Sequence, residues 1–208
     1  MNPEVFKMTE DNFPIVFIID NFYENPDEMR KLAMATPKAE NIRFWKGKRS
    51  ATLDEKIVEP IKKRFEELIG HEFKFLQSHF HTCDVTEPLV YHSDLQEWAG
   101  AVYLTPNAPP ECGTSLWRSK KTGLYKSPTE EDAKRLGKST AQLAQETYGN
   151  ALLDKTKWEL IDQIGNVYNR CVLWRGDLCH SSSGYFGHNE ETQRLFQLIF
   201  LHRDDKKY

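Results

Sequence analysis

Long apolar runs are missing from this sequence. Among its 208 residues no stretch approaches the roughly 20 consecutive apolar residues that span a bilayer, which argues against a membrane helix. The first residues show no basic region followed by an apolar stretch and a cleavage site, so secretion is not expected. Cysteine is sparse. Cys83, Cys112, Cys171 and Cys179 form no C-x-x-C pair, which speaks against a zinc site or a disulfide framework and for reduced thiols in the cytoplasm. Excess positive charge is missing too: 28 Lys and Arg stand against 31 Asp and Glu, a formal net charge of −3, without the footprint of a dedicated nucleic-acid binder. The local exception, Lys46-Gly47-Lys48-Arg49, reads first as a solvated loop. Repeats and low-complexity tracts are absent. What is present, 39% hydrophobic and 12% aromatic residues, suffices for one domain over residues 1–208 with a sizeable core.

Taken in order, Pro14–Ile19 is short and rich in β-branched residues and predicts a buried strand. Asn25-Pro26-Asp27-Glu28 predicts a helix start: a capping residue, a proline suited to the first turn, then acids facing the positive end of the dipole. Met29, Leu32 and Ala33 give that helix an apolar stripe up to Pro37. A second helix over residues 55–69 carries Ile57, Ile61, Phe65, Leu68 and Ile69, with Pro60 as a kink or a first turn and Gly70 as its stop. Alternation from Phe73 to His81 predicts a strand. Further strands are expected at Trp98–Leu104, Gly113–Arg118, Trp158–Ile164, Arg170–Trp174, Leu178–His180 and Arg194–Leu201. Ser127-Pro128-Thr129-Glu130 reads as a capping box opening a polar helical insertion over residues 127–156, broken near Gly137 and Gly149 and expected to act as a lid or substrate-facing wall. The pattern is mainly β with flanking helices, the double-stranded β-helix or jelly roll of cupin-like proteins.

His92 and Asp94, two residues apart, leave the same face of an extended segment. With His180 they make a 2-His-1-carboxylate set, which holds Fe(II) on one side and leaves the opposite positions open. An H-x-D by itself is commonplace, and a surface His beside an Asp is its ordinary explanation. His79 and His81 share a face and compete as ligands, but no carboxylate stands at matching spacing, so they read as pocket lining or structural histidines. On the last strand Arg194 projects with Phe196, Leu198 and Phe200, with no acid on that face. A guanidinium among apolar neighbours needs an anion. Either a distant Asp or Glu supplies it, or a bound carboxylate does, taken in two parallel hydrogen bonds that Lys cannot reproduce. Trp98, Trp117 and Trp174 read as core first and site lining second.

At these residues the sequence resembles the Fe(II)/2-oxoglutarate-dependent dioxygenases, specifically the prolyl-4-hydroxylase-like branch and its small group in bacteria and phages. The likeness runs from Ile19–Asp27 through the His92–Asp94 motif, Val102-Tyr103-Leu104, Cys112-Gly113-Thr114 and Tyr168-Asn169-Arg170 to His180 and Arg194. It implies that His92, Asp94 and His180 bind iron and that Arg194 binds the far carboxylate of 2-oxoglutarate. Tyr103, which matches the tyrosine of the family's Y-L-N strand, is implied as a further contact to that carboxylate. The implied reaction uses O2 and 2-oxoglutarate, hydroxylates a substrate C–H bond and releases succinate and CO2. Two departures stand out: Cys112-Gly113 replaces a Gly-Gly pair, and Thr105 replaces the Asn after Tyr-Leu.

Two other readings use the same residues: a jelly-roll enzyme with Zn or Mn on the triad, and a binding module whose histidines are structural. Nucleobase-repair oxygenases carry a second arginine six residues after the first, where this chain has Phe200. The expected partner is therefore a protein or peptide, an amino acid or another small molecule rather than nucleic acid.

Overall fold

Alternating side chains build two sheets that face each other. The computed structural model describes residues 15–40 and 46–203. Among them are ten strands: β1 (Val16–Ile19), β2 (Lys38–Glu40), β3 (Lys48–Ser50), β4 (Phe75–Cys83), β5 (Trp98–Tyr103), β6 (Thr114–Ser119), β7 (Trp158–Ile164), β8 (Cys171–Arg175), β9 (His180–Ser182) and β10 (Arg194–His202). Four helices accompany them: α1 (Pro26–Ala35), α2 (Glu55–Ile69), α3 (Glu130–Leu136) and α4 (Thr140–Tyr148). The major sheet runs β1-β8-β5-β10-β4-β3-β2 and the minor sheet β7-β6-β9, with every pairing antiparallel. An isolated bridge between His92 and His180 adds a fourth, one-residue rung beside β9. This is a jelly roll with helices outside.

The period-2 rule sorts the core into layers. On the outer face of the major sheet, Leu76 and Phe80 of β4, Trp98 and Val102 of β5, Cys171 and Leu173 of β8, and Leu195, Ile199 and Leu201 of β10 pack against Val58, Ile61, Phe65 and Ile69 of α2 and Ala33 of α1. The alternate residues, among them Ala99, Ala101, Tyr103, Val172, Trp174, Phe196 and Cys83, turn inward and meet Leu116 and Ile164 of the minor sheet. The small Ala99-Gly100-Ala101 run lies in β5, which is buried on both faces.

Several expectations shift. Pro14 lies outside the described residues, and among the described residues β1 pairs only with β8, at the sheet edge, and Ile18 is exposed rather than buried. Asn25 makes no side-chain cap bond, whereas Asp54 caps α2 by accepting from Lys56 N, and Gly70 ends it at φ 83°. Pro60 sits inside α2 and does not end it; Val58 is buried where Leu68 was expected. The capping box is Thr129 with Asp132, two residues later than the Ser127–Glu130 reading, and a second one, Ser139 with Gln142, opens α4.

The helical block packs behind the minor sheet. Its own small core joins Ala133, Leu136 and Leu143 to Leu124, and Tyr148 and Ala151 reach Tyr91, Trp117, Trp158 and Cys179. These contacts run to the reverse of the segments that carry His92, Asp94 and His180. Among the described residues no helix is long and apolar enough to cross a membrane.

Candidate metal centre and anion cradle

His92 and His180 form a mutual backbone pair, His92 N donating to His180 O at 3.0 Å and His180 N to His92 O at 2.7 Å. Residues paired in this way project side by side from one face, and the two imidazole centroids are 4.4 Å apart. Asp94 follows on the same face, anchored by its N–H to Gly176 O at 2.7 Å. That approach requires glycine: a Cβ on Gly176 would lie 1.9 Å from Gln96 O. One Asp94 oxygen is 3.5 Å from His92 Nε2 and the other 3.3 Å from His180 Nε2. The three ligand atoms lie within 4.8 Å of one another, and among the described residues no other cluster of His, Cys, Asp or Glu meets that test.

The tautomers follow from the hydrogen bonds. His92 Nδ1 is 3.0 Å from Val90 O and His180 Nδ1 is 2.9 Å from Leu178 O. A carbonyl can only accept, so each Nδ1 carries the proton and each Nε2 lone pair points at the shared centre. Burial opposes charge on His92, but the hydrogen bond and charge of Asp94 outweigh it and raise its pKa. Burial pulls His180 down to about 4 despite the attraction of Asp94. The Asp94 carboxyl, pushed up by burial, is brought below its ordinary value by His180 and His92. Two neutral nitrogens and one carboxylate fit a divalent ion with open positions.

Arg194 is 1% exposed. Its guanidinium lies over Phe196 at 4.4 Å, Tyr103 at 5.5 Å and Tyr185 at 5.6 Å, three rings forming a cage. It donates to Ser182 Oγ and, at 3.1 Å, to Gly113 O, while its Nε finds no acceptor among the described residues. Among the described residues no carboxylate pairs with it. Only glycine fits at 113, where a Cβ would lie 1.9 Å from Ile164 O, so the retained half of the expected Gly-Gly pair is the half the packing needs. The Tyr103 hydroxyl pairs with Thr114 Oγ1 at 2.8 Å. The Trp174 ring lies 4.8 Å from that of His180, and its indole N–H, like Arg194 Nε, is a buried donor without an acceptor. Unsatisfied donors beside a ligand set suit an anionic occupant.

His79 and His81 stay apart from the triad. His79 Nδ1 is 3.1 Å from Ser50 O; His81 uses both nitrogens, on Lys46 O at 2.5 Å and Arg49 Nε at 3.3 Å. Trp98 packs on Phe17 in the outer core, and Trp117 donates to Ser181 Oγ at 2.9 Å. Of the three, Trp174 is the one whose ring meets that of a candidate ligand, His180. Arg49, assigned to a solvated loop on sequence grounds, lies on β3 in a row with His81, Phe196 and Tyr103 across four strands. Burial brings its guanidinium down to about 10, and Asp94 is the foremost charge holding it up. Its neighbours in sequence are Lys48 and Ser50, which carry no signal of an inward-facing cation. Ser182, Thr114 and Tyr185 were missed as well; Cys-Gly-Thr was the available pointer to Thr114.

A family match covers residues 79–187, more than half of the chain, and takes in all three candidate ligands. The chain belongs to DUF6445, a family of unknown function. Arg194 lies beyond the part of this DUF6445 member that is matched. No curated protein matches the chain. Solved structures share its fold. HygX from Streptomyces hygroscopicus, with nickel and 2-oxoglutarate bound, is 13% identical with a TM-score of 0.54, covering 92% of this chain and 84% of that one. A Pseudomonas putida prolyl-4-hydroxylase is 12% identical with a TM-score of 0.52, covering 91% and 93%. A Burkholderia pseudomallei oxidoreductase of the 2OG-Fe(II) oxygenase family is 10% identical with a TM-score of 0.54, covering 92% and 85%. The DUF6445 chain therefore has the jelly roll of the 2-oxoglutarate oxygenases.

Proposed function

We propose that this protein is an Fe(II)- and 2-oxoglutarate-dependent oxygenase that hydroxylates a protein side chain, an amino acid or another small molecule. The observation that carries the reading is a buried, acid-free Arg194 facing the same interior as a converging His92–Asp94–His180 set. HygX, which shares the fold, holds nickel and 2-oxoglutarate. When bound, Fe(II) and 2-oxoglutarate supply the oxidising chemistry, in which O2 is consumed, succinate and CO2 leave, and one oxygen atom enters a substrate C–H bond.

The chain's residues do the rest. His92 and His180 offer Nε2, fixed by the carbonyls of Val90 and Leu178, and Asp94 completes one face. Arg194 receives the distal carboxylate, its fork oriented by Ser182 and Gly113 and its plane by the aromatic cage. Tyr103, with its Thr114 partner, presents a hydroxyl to the same group. The inward side chains of β5, β8 and β10 keep water from the reacting centre. Phe200 belongs to that apolar lining, which disfavours a nucleobase substrate on the family pattern.

Two measurements test this. Under anaerobic conditions, 2-oxoglutarate added to the Fe(II) protein should produce a visible metal-to-ligand charge-transfer band, and with O2 present a panel of amino acids, peptides and extracts should stimulate succinate release. Arg194→Met keeps much of the stem and removes the fork, so it should weaken 2-oxoglutarate on the order of 10–100-fold, the worth of one charge-assisted contact, with little change in iron affinity. A band of unchanged 2-oxoglutarate dependence in that variant would make Arg194 structural and remove the main support for the assignment.

A further inference from the structure

Tyr148, the last residue of α4, touches both segments that carry the candidate ligands. Its hydroxyl is 2.7 Å from Ser93 Oγ and 3.4 Å from Cys179 Sγ. Ser93 stands between His92 and Asp94, and Cys179 immediately precedes His180. Because neighbouring residues on extended backbone point to opposite faces, Ser93 and Cys179 project backward where the ligands project forward. We propose that Tyr148 is a positioning residue for the metal centre, its single phenol setting from behind the separation of the two ligand-bearing segments. The inference rests on the reading of His92, Asp94 and His180 as metal ligands.

The backbone ties between the two segments are the isolated pair His92–His180 and, from Asp94, the N–H bond to Gly176 O, and β9 is only three residues long. These ties lie along the backbone, whereas ligand atoms around one ion must hold their spacing closely. The hydroxyl of Tyr148 adds a side-chain tie on the face opposite the candidate ligands. Ser127 completes it, its Oγ 2.7 Å from Ser93 Oγ. The ring is itself held: it lies 6.1 Å from Trp158, in a cluster with Tyr91, Trp117, Ala151 and Cys179. Burial keeps the phenol protonated, so it remains a donor. The polar insertion thereby acquires a role at the metal without facing it.

The test uses the full-length protein. Tyr148→Phe deletes the hydroxyl and leaves the packed ring, and Ser93→Ala deletes its nearest hydrogen-bond partner without touching a candidate ligand. Both are titrated with Co(II), following the d–d absorption spectrum, alongside metal-free thermal denaturation. The expected result is Co(II) affinity about 10-fold weaker in each variant, with an altered spectrum, and a double variant little worse than either single one. An unchanged affinity and spectrum in Tyr148→Phe, with only a lower metal-free melting temperature, would overturn the inference and leave Tyr148 as packing. Should Tyr148→Phe fail to fold, Ser93→Ala decides on the same readouts. Failure of the wild-type protein to bind Co(II) would instead strike at the metal centre itself.

Discussion

His81 has the residue types around it of a metal site, yet its chemistry is structural. Burial is the largest influence and Arg49 the next, and together they bring its pKa down to about 3 against an ordinary 6.5. Its ring stacks on Phe196, centroids 4.9 Å apart, and both nitrogens are occupied. Between pH 6.5 and about 3 the unfolded chain holds a proton at this position that the folded protein refuses, so stability falls as pH falls through that window. Each pH unit there should cost about a factor of ten in the folding equilibrium from this one group. His81→Gln keeps a hydrogen-bonding side chain that does not titrate. Urea denaturation of the metal-free variant across the acid range should show a shallower loss than wild type; parallel pH profiles would mean that His81 is protonated in the native protein.

Among the elements, α2 carries an evident imperfection. Pro60 lies five residues past the first residue of the helix and has no N–H to donate to Lys56 O, and its ring crowds that carbonyl. Pro60 is exposed, so little packing is lost on truncation. Pro60→Ala should stabilise the protein by about 1–3 kcal/mol, read as a higher urea midpoint with unchanged slope. A lower midpoint would show that the proline is needed where it stands. Legibility varied in the same physical way across elements. β5, β8 and β10 could be read because strands buried on both faces are largely apolar, with Arg194 and Gln197 as the buried polar exceptions on β10. β2 and β3 could not, because Lys38–Glu40 and Lys48–Ser50 are short and polar, held at the sheet edge by the pairing of β3 with β4 and of β2 with β3. The capping box moved by two residues because Ser127 and Thr129 both satisfy the local pattern, and only the tertiary bond of Ser127 to Ser93 takes it out of contention.

On the scale of the whole molecule, the jelly roll brings His92, Asp94, His180 and Arg194 into one interior. That His92 and Asp94 share a face was legible in sequence, since spacing determines which side chains project together. The support behind them was not, because Tyr148 and Ser127 meet Ser93 only through the fold. Arg49 was hidden for a similar reason: its inward direction is set by the pairing of β3 with β4.

The bridge between His92 and His180 also carries a kinetic meaning. Its two halves lie far apart along the chain, with β5, β6, β7 and β8 between them in sequence. An ion in the refolding mixture thus finds only His92 and Asp94 as neighbours in an open chain, too few ligands to hold it, and loop closure must precede capture. Metal should then leave the refolding rate nearly unchanged and slow unfolding, by roughly tenfold for every 1.4 kcal/mol of binding energy at the ion concentration used. Stopped-flow refolding and unfolding in urea, with and without Co(II), separates the two limbs. Acceleration of the refolding limb by the ion would place the meeting of His92 and His180 before the barrier rather than after it.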